Sequence, residues 1–183
     1  MRRFSVLLGA VATAVGLIAL PAAVAANPEV NHFRDSGTFT DTDFCGTGKT
    51  IEGSFAVHGT EFLAPNQAVD YWQAVEGDVV FTNPRNGSKV FEHFANTFSD
   101  TIVSGVEEGL HVHEFSYKGL PELLRTARGA VLLRDAGYLV FRDTFDGDEF
   151  VSGEIVLNRG PHPDAESDFA LFCEVMTSAL GVS

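Results

Sequence analysis

Between Gly37 and Asn158 the chain runs as short stretches of Val, Phe, Ile, Thr and Tyr, cut by Asn86-Gly87, Asp146-Gly147 and isolated glycines. β-Branched and aromatic side chains suit a pleated surface, and Asn-Gly or Asp-Gly supplies the positive-φ turn that joins antiparallel neighbours. Helical periodicity is weak over the same span. The pattern predicts a mainly β fold of about seven or eight antiparallel strands in a single barrel, with a β-sandwich as the alternative. Three hairpins are expected. Val79 to Thr82 and Val90 to Phe98 flank Asn83-Pro84-Arg85-Asn86-Gly87. Thr101 to Val106 and Leu110 to Tyr117 flank Glu107-Glu108-Gly109, and Tyr138 to Phe145 and Phe150 to Leu157 flank Asp146-Gly147-Asp148.

Two segments depart from this pattern. Gly119 to Arg125 reads as one helical turn, with Pro121 near its start, where a missing N–H costs nothing. Beyond Pro161-His162-Pro163, Asp164 is placed to cap a helix, and Phe169, Phe172, Cys173, Met176 and Leu180 recur at helical spacing. That spacing predicts a short C-terminal helix over residues 165 to 179. A terminal strand through Phe169, Leu171, Cys173 and Val175 is the alternative, because so short an apolar run fits either period.

The first 25 residues stand apart. Arg2 and Arg3 precede an apolar run from Val6 to Leu20, and Ala23-Val24-Ala25 offers the small residues of a cleavage site. Residues 1 to 25 are therefore expected to be a signal peptide, and residues 26 to 183 one secreted domain with no transmembrane anchor. A membrane-spanning helix fits less well, since the run is short for a bilayer and ends in Pro21. Export would carry Cys45 and Cys173 into an oxidising compartment, where a disulfide between them is the expected outcome. Closing so long a loop stabilises a fold by about 4 to 5 kcal/mol in the chain-entropy account.

Setting aside Arg2 and Arg3 leaves 10 cations against 25 acids, a net charge near −15. Nucleic acid and anionic membrane surfaces repel such a chain and are excluded as partners.

The residues that carry chemistry are sparse. His111-Val112-His113-Glu114 falls in an expected strand, where period-two geometry sets both imidazoles on one face as a candidate metal pair. With Gly105 they resemble the opening of a cupin motif. That motif asks for a glutamate a few residues later, where Tyr117 and Lys118 stand, and Glu114 points to the other face. Ligation at His111 and His113 thus lacks a visible third group. Asp143, Asp146, Asp148 and Glu149 surround Gly147, but their spacing is not that of an EF-hand, and a solvated turn explains them. Asp41 and Asp43 form either a carboxylate pair or the loop that places Cys45. Arg134 and Asp135 read as an ion pair beside a glycine turn, with carboxylate recognition as the alternative. No nucleophile elbow, phosphate loop, zinc-protease helix or dinucleotide fingerprint is present in the sequence. Of the 16 phenylalanines, all but Phe4 follow the leader. They either fill the barrel or line a cavity for one small ligand.

Asp41-Thr42-Asp43-Phe44-Cys45-Gly46, Phe81-Thr82-Asn83-Pro84, Gly119-Leu120-Pro121-Glu122, Leu133-Arg134-Asp135-Ala136-Gly137, Gly160-Pro161-His162-Pro163 and Asp168-Phe169-Ala170-Leu171-Phe172-Cys173 together resemble a group of small, uncharacterised secreted proteins of actinobacteria. The resemblance implies export, one β domain and a terminal disulfide, and carries no catalytic residue. At the level of fold alone, the expected barrel is similar to those of allene oxide cyclase and the lipocalins, which fixes no function. The leading expectation is non-enzymatic binding of a small apolar ligand. A metal-dependent, cupin-like enzyme using His111 and His113 is the second reading, and a structural or interaction protein of the cell envelope is the third.

Overall fold

The computed structural model describes residues 29–63, 70–167 and 170–182. The expected leader and Phe169 lie outside these residues. Seven strands follow one another: β1 (Glu29–Asp41), β2 (Ile51–Leu63), β3 (Asp70–Thr82), β4 (Lys89–Gly105), β5 (Leu110–Thr126), β6 (Val131–Asp146) and β7 (Glu149–Arg159). A single helical turn, α1 (Pro163–Glu166), and a helix, α2 (Ala170–Leu180), follow the strands. Each strand pairs antiparallel with its neighbour in sequence, so the order across the single sheet is the order along the chain. Among the described residues β1 and β7 are free edges, and no main-chain bonds join them into a ring.

What bends the sheet is the helix at one end of it. Ile51, Phe81, Val90, Leu124 and Leu133 come from the ends of β2 to β6 and form one buried cluster with Phe44, Phe172, Met176 and Leu180. Five strands side by side extend about 19 Å when flat. To reach one helix about 10 Å wide they must curl around it. The rings of Phe44, Phe81 and Phe172 meet pairwise at 6.1 to 6.4 Å, so the helix is seated by aromatic contacts as well as by aliphatic ones.

Both ends of α2 are fastened. The Asp164 carboxylate accepts from the Phe172 N–H at 2.6 Å, and the Ser167 hydroxyl oxygen accepts from Leu171 N–H. At the other end Gly181 has φ +67, Val182 N–H donates to the Thr177 carbonyl and Gly181 N–H to that of Ser178. This is the two-bond glycine stop of a helix. Asn83 and Asn86, from the turn between β3 and β4, both donate side-chain N–H groups to the Leu180 carbonyl. Cys45 and Cys173 are joined, with Cα atoms 5.5 Å apart across 128 positions. Cys45 sits at φ 53 in a short 3-10 turn, a conformation unusual for a side chain with a Cβ. Asp41 accepts from Asp43 N–H and Asp43 from Gly48 N–H, so these two acids shape the loop that presents Cys45.

The three expected hairpins are present, and the segments that join them differ from expectation. Residues 90–98 and 101–105 belong to the one long strand β4, and β1 begins at Glu29, ahead of the first anticipated strand. Gly119 to Arg125 is extended within β5, not a helical turn. A register shift between Gly119 and Glu122 accommodates Pro121, which has no N–H to contribute to the ladder. Leu133 to Gly137 is strand within β6 rather than a glycine turn. There Asp135 is buried and Arg134 exposed on the opposite face, so they form no ion pair. The expected helix over 165–179 is divided into α1 and α2, and the strand alternative is not adopted.

Large rings fit the inner wall because glycines lie opposite them. Gly53 faces Phe39 and Gly77 faces Phe94 in register, and each ring lies over the glycine so that an added Cβ would collide with it. Gly53→Ala is therefore expected to destabilise by about 1 to 3 kcal/mol, seen as a lower urea midpoint at unchanged slope. Replacing both cysteines by serine is expected to cost about 4 to 5 kcal/mol in the same titration, with the β circular dichroism kept below the transition.

Candidate functional site

The face of the sheet that carries the buried cluster is here called the inner face, and its residues ascend from the helix in tiers. Val90, Leu124 and Leu133 belong to the apolar tier. Two residues further along each strand stand Glu92, Glu122 and Asp135, of which Glu122 and Asp135 interact electrostatically with Asp164 from α1. Above them rises a band of rings. Tyr71 meets Phe98 at 6.0 Å, Phe98 meets Tyr117 at 5.0 Å and Phe115 at 6.1 Å, and Tyr117 meets Phe141 at 6.0 Å. At the end remote from the helix the band continues through His113, Phe145 and Phe150 at 5.4 and 5.8 Å. Phe98, Phe115, Tyr117 and Phe141 are all only half-buried, although strands flank them on both sides.

Both sequence-singled histidines lie in the outermost tier. His113 donates from Nδ1 to the Asp100 carboxylate at 2.6 Å, and His111 donates from Nδ1 to the Gly109 carbonyl at 2.8 Å. Their rings are 4.9 Å apart, and each keeps Nε2 uncommitted. Asp143 stands opposite His113 on β6, so it belongs to this tier and not to the acidic turn of Asp146, Asp148 and Glu149. Burial raises the Asp100 carboxyl above its ordinary range, against the pull of His113, and burial likewise raises Asp143. Burial with the nearby Asp100 and Asp143 charges pushes the Tyr117 hydroxyl up to about 12. Among the described residues no group of three or more His, Cys, Asp or Glu is placed to hold a metal ion.

The acids next to the helix are in a harsher setting. Burial pushes Glu92 up to about 7. Burial, reinforced by Glu92, Asp164 and Asp135, pushes Glu122 up to about 9. Neither makes a hydrogen bond or ion pair among the described residues. Asp135 and Asp164 are better provided for: Asp135 accepts from Asp164 N–H at 3.3 Å, and Asp164 from Phe172 N–H. Beside Asp135 lies His162, fully buried, with no partner for either ring nitrogen. A bare buried imidazole is costly, and such groups in native proteins are commonly met by water or a bound group.

Charge is sorted between the faces. Arg34, Lys89, Lys118, Arg125, Arg134, Arg142 and Arg159 all lie on the strands' outer face, while Lys49, Arg85 and Arg128 lie in loops. The inner face of the described strands carries no Lys or Arg. Two open concavities of about 650 and 500 Å³ are largely on the outer side, the first walled by Val112, Arg142, Thr144 and Glu154 and the second by His32, Arg34, His58 and Glu76.

The sequence singled out His111, His113, Asp135, Asp143 and Asp164, but not the partners the fold supplies. Glu92 and Tyr117 were legible only as positions on expected strands, while Asp100 fell between two expected strands and Glu122 in the expected helical turn. No protein-family model, curated protein or solved structure matches the chain. Among the described residues no helix is long and apolar enough to cross a membrane.

The raised carboxyls fix the sign of a pH effect. Between pH 4.5 and about 7 folded Glu92 and Glu122 both hold protons that the unfolded chain has released, and Glu122 alone does so up to about pH 9. The unfolded state then binds fewer protons, so stability falls as pH rises through that window. The charged groups facing Glu122 are Glu92 on β4, Asp135 on β6 and Asp164 on α1. Thermal unfolding is expected to show this decline, and Glu122→Gln to flatten it and raise the melting temperature at its alkaline end.

Proposed function

We propose that the protein is a secreted, non-enzymatic binder of a small, largely apolar ligand, held on the inner face of the curled sheet. The observation that carries this reading is the half-exposed band of rings through Tyr71, Phe98, Phe115, Tyr117 and Phe141, enclosed by strands yet not packed shut. An apolar surface of this kind gains by burying a ligand. Secretion and kinship with the small actinobacterial proteins belong to the same proposal, and the Cys45–Cys173 bond is compatible with it.

A second reading, a metal-dependent enzyme at His111 and His113, draws on the two uncommitted Nε2 atoms and the Asp100–His113 bond. An interaction role at a cell envelope draws on Phe150, Val151, Ile155 and Val156, exposed along the free edge β7.

Native mass spectrometry of the protein from its own medium, before and after denaturation, separates these readings. The expected result is an organic mass released on denaturation and retained by the His111→Ala, His113→Ala double variant. A released metal mass that this variant loses, with folding intact, would establish the second reading in its place. The denatured mass also checks the expected cut before Ala26.

A further inference from the structure

The two free edges of the sheet are guarded differently. Along β1 the run Asn31-His32-Phe33-Arg34-Asp35-Ser36 sets polar and charged side chains on the edge, and Val30 is that strand's one exposed large apolar residue. Charges of this kind keep an edge from pairing with another chain. Along β7 a single charge, Glu154, lies between Phe150 and Leu157, and Phe150, Val151, Ile155 and Val156 are 58, 55, 42 and 39% exposed. Every residue of β7 except Leu157 is exposed, so nothing among the described residues covers its free side. An open apolar edge is a template for a further strand.

The order of residues on β7 says which strand fits. Phe150-Val151-Ser152-Gly153-Glu154-Ile155-Val156 runs apolar, apolar, polar, glycine, polar, apolar, apolar, the same pattern in either direction. An antiparallel partner reverses direction, so a second copy of this strand matches it. Bulges against β6 at Val151 and Val156 leave Ser152 to Ile155 regular, with edge-facing main-chain groups at alternate residues. Edge-facing residues must oppose one another, so a two-fold pairing centres on one residue. Centring on Ser152 sets Phe150 opposite Glu154 and Ile155 opposite Glu149, and centring on Glu154 sets two like charges face to face. Centring on Gly153 instead pairs Val151 with Ile155 and Phe150 with Val156, puts Ser152 opposite Glu154, and brings the backbones together at a residue without a side chain. The same register lays exposed Arg159 beside the Asp146-Gly147-Asp148 turn of the second copy, so charge is matched where the apolar pairs end.

We propose that β7 is the interface of a symmetric homodimer, in which it pairs antiparallel with β7 of a second copy about Gly153. The inference does not depend on what the inner face binds. The two-fold axis stands perpendicular to the paired strands, so both inner faces open to the same side of one continuous sheet. Such a contact uses the same patch on each copy and closes at two, whereas pairing β7 with β1 of the next copy would propagate into open chains. In the dimer the apolar edge is covered, and a cell-envelope partner no longer has access to it.

Sedimentation velocity of the disulfide-bonded protein over a dilution series tests this. The expected result is one reversible step between monomer and dimer, with no larger species. Val151→Glu and Ile155→Lys are each expected to weaken the dimer by about tenfold or more, because every substitution enters the symmetric contact twice. The Val151→Glu, Ile155→Lys double variant sets opposite charges across both of the proposed pairs and is expected to dimerise more tightly than either single variant. All three change exposed side chains, and circular dichroism and thermal unfolding at monomer concentrations are expected to match the parent. Val30→Lys, on the β1 edge, is expected to leave the dimer unchanged. A monomer across the whole series, or growth into larger oligomers, would overturn the proposal. So would a dimer that both single variants leave intact or that Val30→Lys breaks. Weakening by the single variants without recovery in the double variant would overturn the pairing about Gly153.

Discussion

The seating of α2 against the ends of five strands is the contact on which the architecture turns. A meander of seven strands with two free edges has no closure of its own, and its inner face would be an open apolar trough without the helix. Met176 and Leu180 are fully buried there, and Phe44, Phe81 and Phe172 pack around them. Every other fastening serves that placement: the disulfide, the Asp164 and Ser167 caps at one end, and the Asn83 and Asn86 amides on the last carbonyl at the other.

Once the helix is in place, the inner face becomes a gradient. Apolar residues lie next to it, then acids, then rings, then the histidines and their carboxylates. The acid tier is the part that stability alone does not account for. Leaving half-buried Glu92 and Glu122 without donors is unfavourable, and apolar side chains of similar volume would suit the site better. Local rules are commonly broken where a protein binds something, and this is the one tier of the inner face where they are broken twice, by the carboxyl pair and by His162.

Much of the fold was legible in the sequence for reasons that are local. Asn86-Gly87, Gly109 and Gly147 mark the turns of the three anticipated hairpins, and period-two alternation sets His111 and His113 on one face as observed. The errors have a common cause. Gly-Leu-Pro-Glu after Lys118 and Arg-Asp-Ala-Gly after Leu133 look like breaks when read alone, yet Gly119 and Gly137 stand opposite each other in register, and the two irregularities fit together across strands β5 and β6. Pairing between distant segments decides such places, and no single segment displays it. The candidate site was half-visible for the same reason. His113 was conspicuous, whereas Asp100 acquires meaning only when β4 is laid against β5, and Glu122 only when β5 is laid against Asp135 of β6.

The position of α2 also dictates an order of events. Every strand pairing joins chain neighbours, so hairpins can form in succession as the chain emerges, with short loops to close. The core cannot. Ile51, Phe81 and Val90 must wait for Phe172 and Met176, and Cys45 must wait for Cys173, 128 positions later. Until then the growing chain is a sheet with a greasy face and two unpaired edges, the kind of intermediate that aggregates or needs a chaperone. A chain threaded through a membrane and folding on the far side would become committed only when α2, Ala170–Leu180, arrives. The helix and its disulfide then act as a latch that seals strands already paired.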